Sequence, residues 1–178
     1  SNNNQMLKSI IISAFFITCF QPTFCQQSLR EDFTKKIIKS LKTENFKHIG
    51  SLLPTEEDKS TLTDSCLASL PKDYPAPDSV LIPVLNRKFS SYQKRMNEKV
   101  EPTFERLLQN IKIENINLKS IGVVQTEFNV GWKDCLYQGK IIIHITTNKG
   151  LYLIYFSECV KSKRTWLLGE RFYLKKEE

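Results

Sequence analysis

Few side chains in this chain are placed to do chemistry. Strict alternation from Trp166 through Leu168 to Phe172 would put Glu170 on the apolar face of the last strand. An acid enclosed there holds its proton more tightly, which suits general acid or base work. A bulge at Gly169 would instead turn Glu170 to water, and glycine within a strand often marks such a bulge. His144 stands mid-strand among apolar residues and is the one candidate base; a lone strand histidine more often packs and hydrogen-bonds. Trp132 and Tyr137, flanking a strand turn, and Tyr155 are the aromatic candidates for touching a ligand. Capping the sheet edge is the commoner role for such a pair.

The strong motif classes are empty. There is no glycine-rich phosphate loop, nucleophile elbow, paired-histidine helix or Cys-x-x-Cys. His48 and His144 lie far apart with no acid at ligand spacing, so neither a metal nor a cofactor is expected. The lysines are spread along the chain and no recognition motif gathers them, which argues against nucleic acid as a partner.

The N-terminus has the form of an export signal. Lys8 precedes an unbroken apolar run over residues 10–20, and Pro22 and Cys25 follow before Gln26 and Gln27. The run is too short for a membrane span, so residues 1–25 read as signal peptide with upstream residues, Met6 being the plausible start. An uncleaved anchor, or acylation at Cys19 or Cys25, is the alternative. Cleavage after Cys25 leaves residues 26–178 as a single domain in the periplasm or outside the cell, with no stable membrane span. It also removes one cation from a net charge of +7. The remaining positive charge favours solubility or an anionic envelope surface.

Cys66, Cys135 and Cys159 survive such processing. An oxidising compartment permits a disulfide and an odd count leaves one thiol over. Joining Cys135 to Cys159 would close a short loop and add roughly 3.5 kcal/mol on a chain-entropy account. Three separate buried thiols are the other reading.

The elements that must position these groups follow from period and punctuation. Ser28 and Glu31 have capping-box spacing and predict a helix start. Leu29, Phe33, Ile37 and Leu41 then form an apolar stripe, with Lys35, Lys36, Lys39 and Lys42 facing away. That lysine face could meet lipid phosphates or acidic partners, although most such faces are simply solvated. Pro54 followed by Glu56, Glu57 and Asp58 predicts a second, short helix. Prolines 71, 75, 77 and 83 predict a surface connection of extended backbone. From Leu81 to Ile111 apolar positions recur every three or four residues, a long helix that Pro102 should kink or restart near Glu101. Its stripe, Met96 included, reads as core.

Beyond residue 120 the period changes to two. Segments near 121–130, 137–147, 151–158 and 165–174 read as four antiparallel strands, separated at Gly131, 148–150 and 161–163. A three-residue turn at 148–150 would pair Thr147 with Leu151, Ile145 with Leu153 and Ile143 with Tyr155. The opposite face would then be Ile142, His144, Thr146, Tyr152, Ile154 and Phe156, too apolar to stay wet. A homodimer through this outer sheet face, or a flap from the 71–83 segment, would cover it.

Helices followed by a meander of long antiparallel strands resemble the cystatin-like, cone-shaped fold of the nuclear transport factor two-like superfamily. The likeness is closest over 121–174. There, Leu151-Tyr152-Leu153, Ser157-Glu158-Cys159-Val160-Lys161 and Thr165-Trp166-Leu167-Leu168-Gly169-Glu170 look like the closing hairpin of small exported bacterial members of undefined function. The resemblance implies an α+β protein: N-terminal helices packed on a curved four-stranded antiparallel sheet that leaves a pocket. Some members use such a pocket for isomerase or hydrolase chemistry, and many for binding or dimerisation only. Their inward acid or histidine with a polar donor has no match here. The expected function is a non-catalytic binding or interaction module of the bacterial envelope, taking a small apolar ligand or an envelope protein. A small-molecule isomerase or hydrolase using Glu170 or His144 is the rival. An inhibitor or structural accessory acting through the 71–83 segment is the third reading.

Overall fold

A computed structural model describes residues 26–177. The export signal, on residues 1–25, lies outside them. Helix α1 covers residues 26–43. It is followed by α2 (Lys47–Gly50), α3 (Glu56–Ser69), α4 (Asp78–Ile113), a short 3-10 turn (Leu118–Ser120), and strands β1 (Gly122–Lys133), β2 (Leu136–Thr147), β3 (Gly150–Lys161), β4 (Trp166–Leu167) and β5 (Arg171–Lys176). The class is α+β. Helices stand against one strongly curled antiparallel half-barrel, four-stranded in outline, whose last strand is broken into β4 and β5.

The apolar stripes go where their periods send them. Phe33, Ile37 and Leu41 of α1 and Val100, Phe104, Leu107 and Ile111 of α4 are buried against Ile141, Ile143, Ile145, Tyr152, Ile154 and Phe156 on the concave face. Ser28 does not cap α1, because the helix is already running at Gln26. Glu31 instead takes a hydrogen bond from Gln27 Nε2 at 3.3 Å and pairs with Lys35. The capping box belongs to α3, where Thr55 Oγ1 accepts from the Asp58 amide and Asp58 Oδ2 accepts from the Thr55 amide.

The expected restart at Pro102 does not occur. Helix α4 runs through Pro83 and Pro102 as one element. Its buried stripe continues on both sides of Pro102, and Thr103 Oγ1 donates to the Lys99 carbonyl beside the one that proline orphans. The exposed proline-rich connection therefore shrinks to residues 70–77, between α3 and α4.

Sheet register differs from the expectation in one consequential way. Thr147 pairs with Gly150, not Leu151, so the β2–β3 turn has two residues, Asn148 and Lys149. Thr147 Oγ1 accepts the Lys149 amide and donates to the Gly150 carbonyl, while Asn148 accepts the Asn117 amide and ties the turn to the end of α4's connection. Gly150 takes the left-handed φ of +112° that ends the turn. The one-residue slip moves Tyr152, Ile154 and Phe156 to the concave face, opposite Ile145, Ile143 and Ile141. The outer face then carries Ile142, His144, Thr146, Leu151, Leu153 and Tyr155. The residues of that face thus differ from those expected, while Ile142, Leu151, Leu153 and Tyr155 keep it partly apolar.

Gly131 does not separate strands. It lies within β1 opposite Gln138, and the turn is Asp134-Cys135, both at positive φ, the conformation of a tight hairpin. The curl has a local origin. Gly139 in β2, Glu158 at φ +57° in β3, and the 168–170 break form a line of irregularities across the sheet. At Gly139 a Cβ would stand 2.3 Å from the Asn129 carbonyl oxygen, and at Gly169 1.8 Å from that of Ser157. Bulges concentrate twist, and here they bend the layer around α1.

Candidate functional site

The concave side of the sheet is filled. Phe33, Ile37, Leu41, Phe156 and Trp166 are fully buried there, with Phe33 edge-on to Phe156 at 5.5 Å. Space for a ligand opens instead at the lip, where α1 runs beside β1, the strand that among the described residues pairs only with β2.

This groove has a volume of about 780 Å³. Its apolar floor is Ile38, Val123 and Phe128, with the Thr34 and Thr126 hydroxyls in contact at 3.2 Å across it. Helical spacing sets Lys35, Lys39 and Lys42 along one wall, while Arg30 stands nearer the helix N-terminus on the side of Phe128. Glu31 is the one acid in the lining and is already engaged by Lys35 at 3.8 Å. The Arg30 guanidinium lies over the Phe128 ring at 4.8 Å. Its Nε is enclosed and has no hydrogen-bond partner among the described residues.

A second hollow, of about 540 Å³, collects two of the aromatic candidates. Trp132 and Tyr137 face each other across the β1–β2 hairpin, edge-on at 5.6 Å, beside Leu62, Cys135, Lys161 and Lys163. Trp132 is 71% exposed, while Tyr137 leans on buried Trp166. The pair thus caps the end of the core and also forms an accessible rim. Tyr155 is not with them. It lies on the outer face, stacked on Tyr173 at 5.0 Å with Lys140 nearby.

His144 and Glu170 are not brought together. His144 is on the outer face, its Nε2 bonded to Glu127 at 2.8 Å, with Glu177 at 3.9 Å from Nδ1. Glu170 follows the broken strand and lies at a surface cleft between α4 and the sheet, with its carbonyl bonded to Thr103 and Arg171 Nε at 3.9 Å from its carboxylate. Neither carboxylate nor imidazole faces the packed concave interior.

The disulfide is Cys66–Cys135, with Cα atoms 4.9 Å apart, and not Cys135–Cys159. The left-handed turn aims Cys135 at α3, whereas Cys159 points into the concave core. Burial pushes the Cys159 thiol up to about 12, so it stays protonated and inert. Among the described residues no three of His, Cys, Asp and Glu gather around a metal-sized space, and no helix is long and apolar enough to cross a membrane.

Comparison with known proteins returns no matching family model, no matching curated relative and no matching solved structure. The site therefore stands on its geometry. Sequence reasoning found the lysine wall of the groove but not its floor, because Val123 and Phe128 reach α1 only through the curl of the sheet. Arg30 gives no signal at all, being one of 26 basic residues in the chain.

Proposed function

We propose that this chain is an exported, non-catalytic binding module of the bacterial envelope that holds a small apolar ligand in the groove between α1 and β1. The observation that carries the reading is an apolar floor of half-buried Ile38 and Phe128 and exposed Val123 that no other described residue covers, beside a well-packed core. Export is supported by the Cys66–Cys135 bridge, since such bonds persist in oxidising compartments. Membership of the nuclear transport factor two-like superfamily is part of the proposal, supported by helices packed on a curled half-barrel.

The test is titration with an uncharged fluorescent probe, N-phenyl-1-naphthylamine, whose emission rises in apolar sites. Saturable binding lost in Ile38→Glu but kept in Trp132→Ala supports the groove. Loss in Trp132→Ala alone would move the site to the hairpin hollow, and no saturable binding overturns the reading. N-terminal sequencing of protein recovered from its source cell, beginning at Gln26, would support export.

A further inference from the structure

The groove's lining carries an excess of positive charge. Arg30, Lys35, Lys39 and Lys42 face a single acid, Glu31, and that acid already binds Lys35 and Gln27. Among the described residues, Arg30, Lys39 and Lys42 have no carboxylate within ion-pair distance. A guanidinium is usually held by an acid where it is enclosed, because an enclosed donor without an acceptor costs stability. At Arg30 the aromatic face of Phe128 takes that place, and among the described residues Nε has no acceptor. The apolar floor runs alongside. From Gln27 to Thr43 the groove follows α1 for about 24 Å at the rise of a helix, the reach of an extended chain rather than a compact ring.

We propose that the occupant is a single-chain amphiphile with a carboxylate head, a free fatty acid, whose acyl chain lies along Phe128, Ile38 and Val123 and whose head meets Arg30. The claim rests on the groove reading above and adds the chemistry of the ligand. The planar fork of arginine matches a carboxylate, and an acyl chain needs only apolar wall. Lys39 and Lys42 add a positive field at the other end of the groove that draws the anion in.

The experiment is calorimetric titration of the delipidated protein with dodecanoate, dodecanol and dodecyl phosphate, below their aggregation concentrations. Dodecanoate is expected to bind about tenfold or more tightly than dodecanol, the scale of one hydrogen bond to a charged group. Arg30→Gln should bring the dodecanoate-to-dodecanol affinity ratio down to about one, and Arg30→Lys should restore part of the preference. Ile38→Glu should weaken all three probes, with circular dichroism confirming the fold. Equal binding of dodecanoate and dodecanol overturns the carboxylate head and leaves the groove standing. A preference for dodecyl phosphate that survives in Arg30→Gln also overturns it, by placing the head at the lysines. If no probe binds, both readings fail.

Discussion

Arg164 holds Asp58 through a single oxygen, its Nε and Nη2 lying 2.9 and 2.6 Å from Asp58 Oδ2. The remaining donors reach the Ser51 and Leu53 carbonyls, so one guanidinium joins the segment before β4 to the start of α3 and the loop ahead of it. Asp58 is buried and Arg164 is about one-third exposed. Breaking a buried pair strands the remaining charge. Arg164→Met should therefore cost about 3 kcal/mol and lower the melting temperature by about 10 °C, read by calorimetry.

Acid should act on the same pair. Burial alone would raise the Asp58 carboxyl above its ordinary value of 3.8, but Arg164 and the Thr55 amide outweigh it and hold it lower. A carboxyl lowered in the folded state stabilises fully above its unfolded value and loses that contribution as pH falls through the folded one. Urea midpoints should be flat above about pH 5 and fall below about pH 4. The fall should be shallower in Asp58→Asn, and an unchanged acid limb in that variant would show that other groups control it.

Glycines at 169 and 131 should respond in opposite ways. A Cβ at Gly169 would overlap the Ser157 carbonyl, whereas Gly131 has open space and an ordinary φ. Gly169→Ala should lose about 3 kcal/mol or fail to fold, and Gly131→Ala should gain up to about 1 kcal/mol. Denaturation curves of the two variants decide it. A tolerated Gly169→Ala would mean the strand crossing is looser than described.

Much of this architecture was readable because helix and strand periods differ. The 29–41 and 81–111 stripes each have one period, and the β-branched run 141–145 has one reading as strand. Register was not readable: whether Lys149 or Gly150 closes the β2–β3 turn depends on Thr147 and Asn148 bonding to nearby backbone, which no alternation reveals. The Cys135 partner was hidden for a similar reason. Its direction is set by a left-handed turn, and Cys66 sits far away in sequence on a helix. The groove was half visible, as a lysine face whose apolar neighbour lies on a strand about ninety residues away.

Tyr92 anchors α4 to the broken strand, its hydroxyl donating to the Leu168 carbonyl at 2.9 Å. Burial pushes the phenol far above its ordinary value, so it stays protonated. Tyr92→Phe should lose about 1–2 kcal/mol and expose an unpaired carbonyl. Absorbance titration of the native protein to pH 11 should show Tyr92 silent, and ionisation with an ordinary midpoint would contradict its burial.

Mass mapping without reductant should join the Cys66 and Cys135 peptides and leave Cys159 unmodified until the protein unfolds. With 69 residues of separation, reduction should cost roughly 4 kcal/mol on the chain-entropy account. A Cys159 that reacts rapidly in the folded protein would contradict its place in the core.

The bridge also sits at a seam. Leu62, Cys66, Phe89, Leu136, Val160 and Leu167 form a small apolar cluster distinct from the large one beneath α1. Helix α3 rests on that small cluster, and the sulfur link is its one covalent tie to the sheet. Once the link is cut, α3 is held against the sheet by that small cluster and by the Arg164–Asp58 pair at its start, so local opening of α3 should need less free energy than unfolding of the whole. Amide exchange within α3 should then quicken on reduction while β2 and β3 stay protected, so the redox state of the surroundings would set how firmly this flank is held.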